Sequence, residues 1–240
     1  KGPDGRMHYF VGTYNSWAVE KFIYGAYDLA YAFSLTGDER YATKAAEILD
    51  CVADIYPTCT IGSWDYPETR PGQNSGRLNR PQYQVGRVLI PLSDTYDQIF
   101  DSAALDKPSV RPTMTRRENI EQNMLMDGAR YCYERSFNFN GLTNGSADYI
   151  KGSMVVGLVL GMPDYVKWAV DGPYGIRSML ANNIGRDGTY YETATGYSYY
   201  TRFIYRGYAE YLRNYRGSAY PDGIDLYDDQ RFKDFMLLLN

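Results

Sequence analysis

With 240 residues, and 25 Lys plus Arg against 29 Asp plus Glu, the chain carries a formal charge of -4, which excludes the broad basic surface that coats nucleic acid or an anionic membrane. The length suffices to bury one substantial core, and a single domain over residues 1–240 is the expectation. The longest apolar stretch, Met154 to Met162 with two glycines inside it, is far shorter than the roughly 20 residues that cross a bilayer.

The chain begins at Lys1 without an initiator Met or a charged-then-apolar leader, as expected of a processed or trimmed product. Val19, Phe22, Ile23, Ala26, Ala30 and Phe33 fall at helical spacing over residues 18–35, and Thr36-Gly37-Asp38 supplies a stop and a restart. A second helix follows, with Tyr41, Ala45, Ile48, Leu49, Val52 and Ile55 on one face and Pro57 at its end, so the pair reads as an antiparallel hairpin. Cys51 and Cys59 allow a bridge in an oxidising compartment, while the three cysteines, Cys132 included, lack the paired spacing of a zinc site. From Ile61 to Arg80 the chain is rich in Gly, Pro, Asn and Arg and reads as a long loop.

Helical periodicity returns with Val85, Val88, Leu89, Leu92, Tyr96, Ile99 and Phe100, although Pro91 is expected to kink or divide that helix. Thr115-Arg116-Arg117-Glu118 has the form of a capping box, followed by Ile120, Met124, Gly128 and Tyr131 in a helix running to about Ser136. Ile150 to Leu160 is apolar nearly all round and predicts an inner helix. Further helices fit Tyr165 to Val170, Ile176 to Ile184, Tyr199 to Tyr215 and Asp228 to Leu239, with a short strand pair near Gly188 to Thr193. Repeated hairpins joined by loops of unequal length predict an all-α fold, an incomplete (α/α) toroid or related array.

His8 is the one histidine, no phosphate-binding glycine loop is present, and so neither a cofactor nor a metal enters the reading. The chain has 26 Tyr against nine Phe and three Trp. A ring with an apolar face and a polar tip suits the wall of a wet sugar groove, and equally a half-buried helix surface. The densest chemistry lies in Asp187 to Tyr200, a turn feeding an amphipathic helix, in which Tyr197, Arg202 and Arg206 are expected to face a common space. A second candidate is the Asn-rich segment Phe137 to Ser146 before the inner helix, which reads equally as an Asn-Gly turn with a helix cap.

Three stretches resemble the heparinase II/III-like and alginate-lyase-like polysaccharide lyases. They are Ala32-Phe33-Ser34-Leu35-Thr36-Gly37-Asp38-Glu39-Arg40-Tyr41-Ala42, the run Arg87 to Asp97 ending Asp94-Thr95-Tyr96-Asp97, and Asp187-Gly188 with Glu192 and Tyr197. The last is similar to the segment that carries that family's catalytic tyrosine. The resemblance runs from about Trp17 to Tyr215 and implies β-elimination in a uronic-acid polysaccharide by a secreted or periplasmic bacterial enzyme. In that family an Asn or His precedes the tyrosine by some fifty residues, and Asn144 stands 53 residues before Tyr197.

On this likeness Asn144 neutralises the uronate carboxylate while Tyr197 moves a proton at C5 or at the departing O4. Bringing a tyrosine from a pKa near 10 to about 7 takes roughly 4 kcal/mol, which assigns Arg202 to stabilise the phenolate. Arg70, Gln73, Asn74, Arg77, Arg80, Tyr149, Glu192, Tyr199 and Arg206 are then the substrate-binding candidates, since arginine grips carboxylate with paired hydrogen bonds. The chain departs from the family in having Gly145 where His is common, which leaves the base open between Tyr149, Tyr199 and a segment outside the chain. The likeness also implies a longer enzyme with a β-sandwich after the helices.

A glycoside hydrolase with two carboxylates drawn from Asp65, Asp94, Asp148 and Glu192 is one alternative. A helical carbohydrate-binding fragment without turnover is another. In every case the expected partner is a saccharide, acidic in the lyase reading.

Overall fold

The computed structural model describes residues 3, 5, 10–59, 77–78, 84–138 and 141–237, with residues 11–13 and 16 as backbone only. The described residues are all-helical, with no β-strand among them and only isolated bridges such as Ile184 with Tyr190. None of their helices is long and apolar enough to cross a membrane. The chain forms two compact units, residues 1–127 and 128–240.

In the first unit, α1 (Phe10–Thr36) and α2 (Glu39–Ile55) form the expected hairpin. Gly37 takes a φ of 68°, open to glycine without strain, and its N–H closes on the Phe33 carbonyl at 2.7 Å. Asp38 then caps α2 by accepting from the Arg40 N–H at 3.0 Å. The face of α2 that packs is Ala42, Ala45, Ala46, Leu49, Val52 and Ala53, while Tyr41 and Ile55 stay exposed. Small side chains let two helix axes approach closely, and the alanines share this face with Leu49 and Val52.

Asp50 is buried on α2 and accepts from the Ser109 hydroxyl at 2.6 Å, the Val110 N–H at 2.8 Å and the Asn119 amide at 2.8 Å. A buried carboxylate is tolerable only with such donors around it. No disulfide joins Cys51, which is exposed, to Cys59, and Cys132 is a buried thiol.

The helix α3 (Val85–Gln98) contains Pro91 and is not divided by it. Proline forfeits its own backbone bond. The turns around it are supplemented by side chains, Ser93 Oγ donating to the Leu89 carbonyl at 2.8 Å and Thr95 Oγ1 to that of Pro91 at 2.6 Å. The capping box at Thr115 is present in both directions and opens α4 (Arg116–Asn119). A π-helical stretch, Ile120–Met126, follows with Ile120, Met124 and Leu125 buried, and α5 (Asp127–Ser136) succeeds it.

In the second unit, α6 (Asn144–Val159) is the inner helix, buried continuously from Ser146 to Gly157. Its partner α7 (Pro163–Asp171) approaches so closely at Gly157 that a Cβ there would lie 3.0 Å from that of Tyr165. After α8 (Ile176–Asn183) comes the segment leading to α9 (Thr195–Leu212), which starts four residues earlier than the apolar pattern from Tyr199 indicated. A short 3-10 turn, Leu226–Asp228, and α10 (Gln230–Leu237) close the described chain.

Candidate active site

The α6 end of the site is built by a cap. Thr143 Oγ1 accepts the Ser146 N–H at 3.2 Å, and Ser146 Oγ reaches back to the Gly141 carbonyl at 3.1 Å. Asn144 is therefore the first helical residue, half-buried at the mouth of the inner helix. Buried Asn183 anchors the approach to it, donating to the Leu142 carbonyl at 3.0 Å and to the Tyr205 hydroxyl at 3.4 Å.

The α9 end is built by a tight turn. The Gly185 N–H donates to the Thr189 carbonyl at 2.8 Å and the Tyr191 N–H to that of Asn183 at 2.9 Å. Asp187 Oδ1 holds the turn by accepting from Thr189 Oγ1 at 2.6 Å and from its N–H at 3.1 Å, and these bonds hold its carboxyl below the usual aspartate value. Gly188 has a φ of 79°, and a Cβ there would meet the Asp234 carbonyl oxygen at 2.6 Å. The expected strand pair is thus reduced to a single bridge. The turn buries Tyr190 against Phe235, with ring centroids 6.1 Å apart, and delivers the chain into α9.

Helices α6 and α9 are tied by two phenols. Tyr208, fully buried, donates to the Ala147 carbonyl at 2.8 Å, and Tyr200 donates to buried Asp148 Oδ2 at 3.0 Å. Lys151, also buried, sits with Nζ 5.7 Å from the centre of the Phe203 ring and fills the notch at Gly207, where a Cβ would lie 3.0 Å from it. Asn144 lies four residues before Asp148 and Tyr197 three before Tyr200, so each is about one helical turn, ~5.4 Å of rise, from the bond joining the helices. No hydrogen bond joins Asn144 to Tyr197, whose ring is 55% exposed.

Arg202 does not share a side of α9 with Tyr197. Five residues at ~100° each place the two about 140° apart around the helix, and Arg202 instead joins Tyr199, Phe203, Arg206, Tyr227 and Met236 around a cleft of 440 Å³. The expectation that Tyr197, Arg202 and Arg206 face one space is corrected for Tyr197, while Arg202 and Arg206 do share a cleft. The Arg202 guanidinium stacks over Phe235 at 5.3 Å and makes no hydrogen bond, with Nε and Nη2 buried. Burial lowers its pKa from the ordinary arginine value, against a raising influence from Tyr199.

Tyr149 lies in the core, where burial, and after it Tyr131 and Cys132, push its phenol well above the ordinary value. Tyr199 is 70% exposed, and Glu192 is half-buried with Oε2 enclosed and without a hydrogen-bond partner. In the first unit Arg77 Nε donates to Asp127 Oδ2 at 2.8 Å in a largely buried ion pair. Arg70, Gln73, Asn74, Arg80 and Asp65 lie outside the described residues. No cluster of metal-ligating side chains occurs among the described residues. Lys151 and Phe203 escaped the sequence reading, which included Tyr200 in its densest window without giving it a role. The one signal for them was the buried spacing of Asp148 and Lys151 on an otherwise apolar helix.

No family model matches the chain. The chain is similar to an exo-oligoalginate lyase of Saccharophagus degradans, 26% identical over 179 residues that make up 72% of this chain and 22% of that protein. The chain thus spans about a fifth (22%) of the length of this relative.

Proposed function

We propose that the chain is the helical portion of a polysaccharide lyase, an open α/α toroid that cleaves a uronic-acid polymer by β-elimination. The observation that carries the reading is the Tyr200 to Asp148 hydrogen bond, which ties together the two helices whose first turns bear Asn144 and Tyr197. The similarity to an exo-oligoalginate lyase supports the same chemistry.

The C5 proton of a uronate is only weakly acidic, so the carboxylate must be neutralised as the enolate develops. Asn144 supplies that donor. Tyr197, exposed on the first turn of α9, takes the C5 proton or gives one to O4 as the C4 to O bond breaks. Asp148 and Tyr200 hold the two helix starts in register, and Arg202 binds substrate rather than tuning Tyr197.

The test is the ultraviolet absorbance of unsaturated uronate during incubation with a panel of uronic-acid polymers, for the native chain and Tyr197→Phe. Elimination predicts a rise on at least one polymer that the substitution abolishes. Saturated reducing ends without that absorbance would instead establish hydrolysis, and binding without turnover would sink both enzymatic readings.

A further inference from the structure

We propose that the cleft between α9 and the α10 region is a second saccharide site, one that binds the carboxylate of a uronate unit remote from the bond being broken. The inference rests on the lyase reading for its choice of acidic sugar, but its geometry is independent of Tyr197. The cleft is lined by Tyr199, Arg202, Phe203, Arg206, Tyr227 and Met236 and encloses 440 Å³, room for a sugar ring. Arg202 is half-buried in its wall.

A guanidinium has five N–H donors. In Arg202 none is used: Nε and Nη2 are buried without an acceptor, and the guanidinium carbon lies 5.3 Å from the centre of the Phe235 ring, so that Nη1 is the donor not enclosed. Desolvating a charged donor without an acceptor is costly, and an entering carboxylate that pairs with it removes the cost. That stored imbalance favours an anion over a neutral ligand.

Charge on the rim agrees. Arg206 is exposed and held only loosely, with Nε 3.8 Å from Glu210, and the Glu210 carboxylate is itself occupied by the Tyr227 hydroxyl at 2.5 Å. Arg206 and Glu210 offset one another's charge, so the uncompensated positive charge of the cleft is that of Arg202, with Arg206 at the rim as a second donor. Phe203 and Tyr199 are 67% and 70% exposed. Rings left open at the mouth of a cationic cleft offer the C–H face of a sugar a surface to stack on, which a bare inorganic anion does not need. Cation, ring and volume together select a sugar bearing a carboxylate.

The test uses the full chain carrying Tyr197→Phe, so that turnover does not consume the ligand, and titrates it calorimetrically with an alginate tetrasaccharide and a neutral glucan tetrasaccharide. Saturable binding of the acidic tetrasaccharide, weakened at least tenfold by Arg202→Gln and severalfold by the exposed substitutions Arg206→Gln and Tyr199→Ala, is the expected result. The two exposed variants keep the test valid if Arg202→Gln fails to fold. Equal binding of the neutral sugar, equal competition by free acetate, unaltered affinity in the Arg206 and Tyr199 variants, or no binding at all overturns the proposal. Failure of the lyase reading shows separately, as absence of unsaturated uronate from the native chain.

Discussion

Tyr200 and Asp148 meet across 3.0 Å at the crossing of α6 and α9, a phenol from one helix satisfying a buried carboxylate of the other. A hydrogen bond to a charged group contributes about 1.5–3 kcal/mol, and removing the phenol alone leaves the acceptor short of a donor. Tyr200→Phe is therefore expected to lower stability by roughly 2 kcal/mol. Asp148→Asn in the Tyr200→Phe background should cost less than it does alone, with a coupling of about 1 kcal/mol. Urea denaturation of the four proteins gives the cycle, and additive losses would show that the pair does not hold the helices together.

Asp50 is the corresponding anchor of the first unit. It gathers Ser109, Val110 and Asn119, so Asp50→Ala strips three donors of their acceptor at one stroke. A loss of about 3 kcal/mol or more is expected, measured as a fall in the denaturation midpoint. A loss under 1 kcal/mol would mean that water replaces the carboxylate.

The helical skeleton was legible because local chemistry and tertiary need agree there. Thr115-Arg116-Arg117-Glu118 spells its cap in the sequence, and Gly37 marks its own turn. Where packing decides, the sequence misleads. Pro91 stays inside an unbroken helix, and α2 packs through its alanines with Leu49 and Val52 rather than through Tyr41 and Ile55. The π-helical stretch hides for a related reason, since the buried Met124 and Leu125 follow Ile120 at spacings that an α-helix also accommodates. In the candidate site cap and turn residues pointed to the neighbourhoods of Asn144 and Tyr197, but the apolar pattern set the two helices at Ile150 and Tyr199, six and four residues after their actual starts. The side of α9 that Arg202 takes was not legible, because the helix begins at Thr195 and five residues carry a side chain well past one turn.

The capping box at Thr115 gives a pH-dependent prediction. Glu118 accepts from the Thr115 N–H at 2.7 Å and from its hydroxyl at 3.0 Å, and these bonds hold its carboxyl below the ordinary glutamate value. A lowered folded-state pKa contributes stability that is present above the unfolded value and lost as pH falls through the folded one. Thr115→Ala is expected to cost ~1 kcal/mol at pH 7. The gap between the two proteins should narrow under acid conditions, once the folded Glu118 carboxyl takes its proton. Thermal melts of both across the acid range check this, and a gap that widens on acidification would contradict it.

Gly188 and Gly196 flank the segment that presents Tyr197, and they should respond to alanine in opposite ways. At Gly188 the φ of 79° alone costs an L residue about 1–2 kcal/mol. The added Cβ would also lie 2.6 Å from the Asp234 carbonyl oxygen, a backbone atom on α10 that cannot swing aside. Gly188→Ala is thus expected to destabilise by roughly 2 kcal/mol or more and to displace the turn that leads into α9. Gly196, in the first turn of α9, has nothing within 4 Å of its would-be Cβ. There alanine improves helix propensity and narrows the unfolded ensemble, so Gly196→Ala should be neutral or stabilising by up to about 1 kcal/mol. Denaturation midpoints of the two variants measured side by side decide the matter. Equal losses at both positions would mean that the turn at Gly188 is not what positions the start of α9.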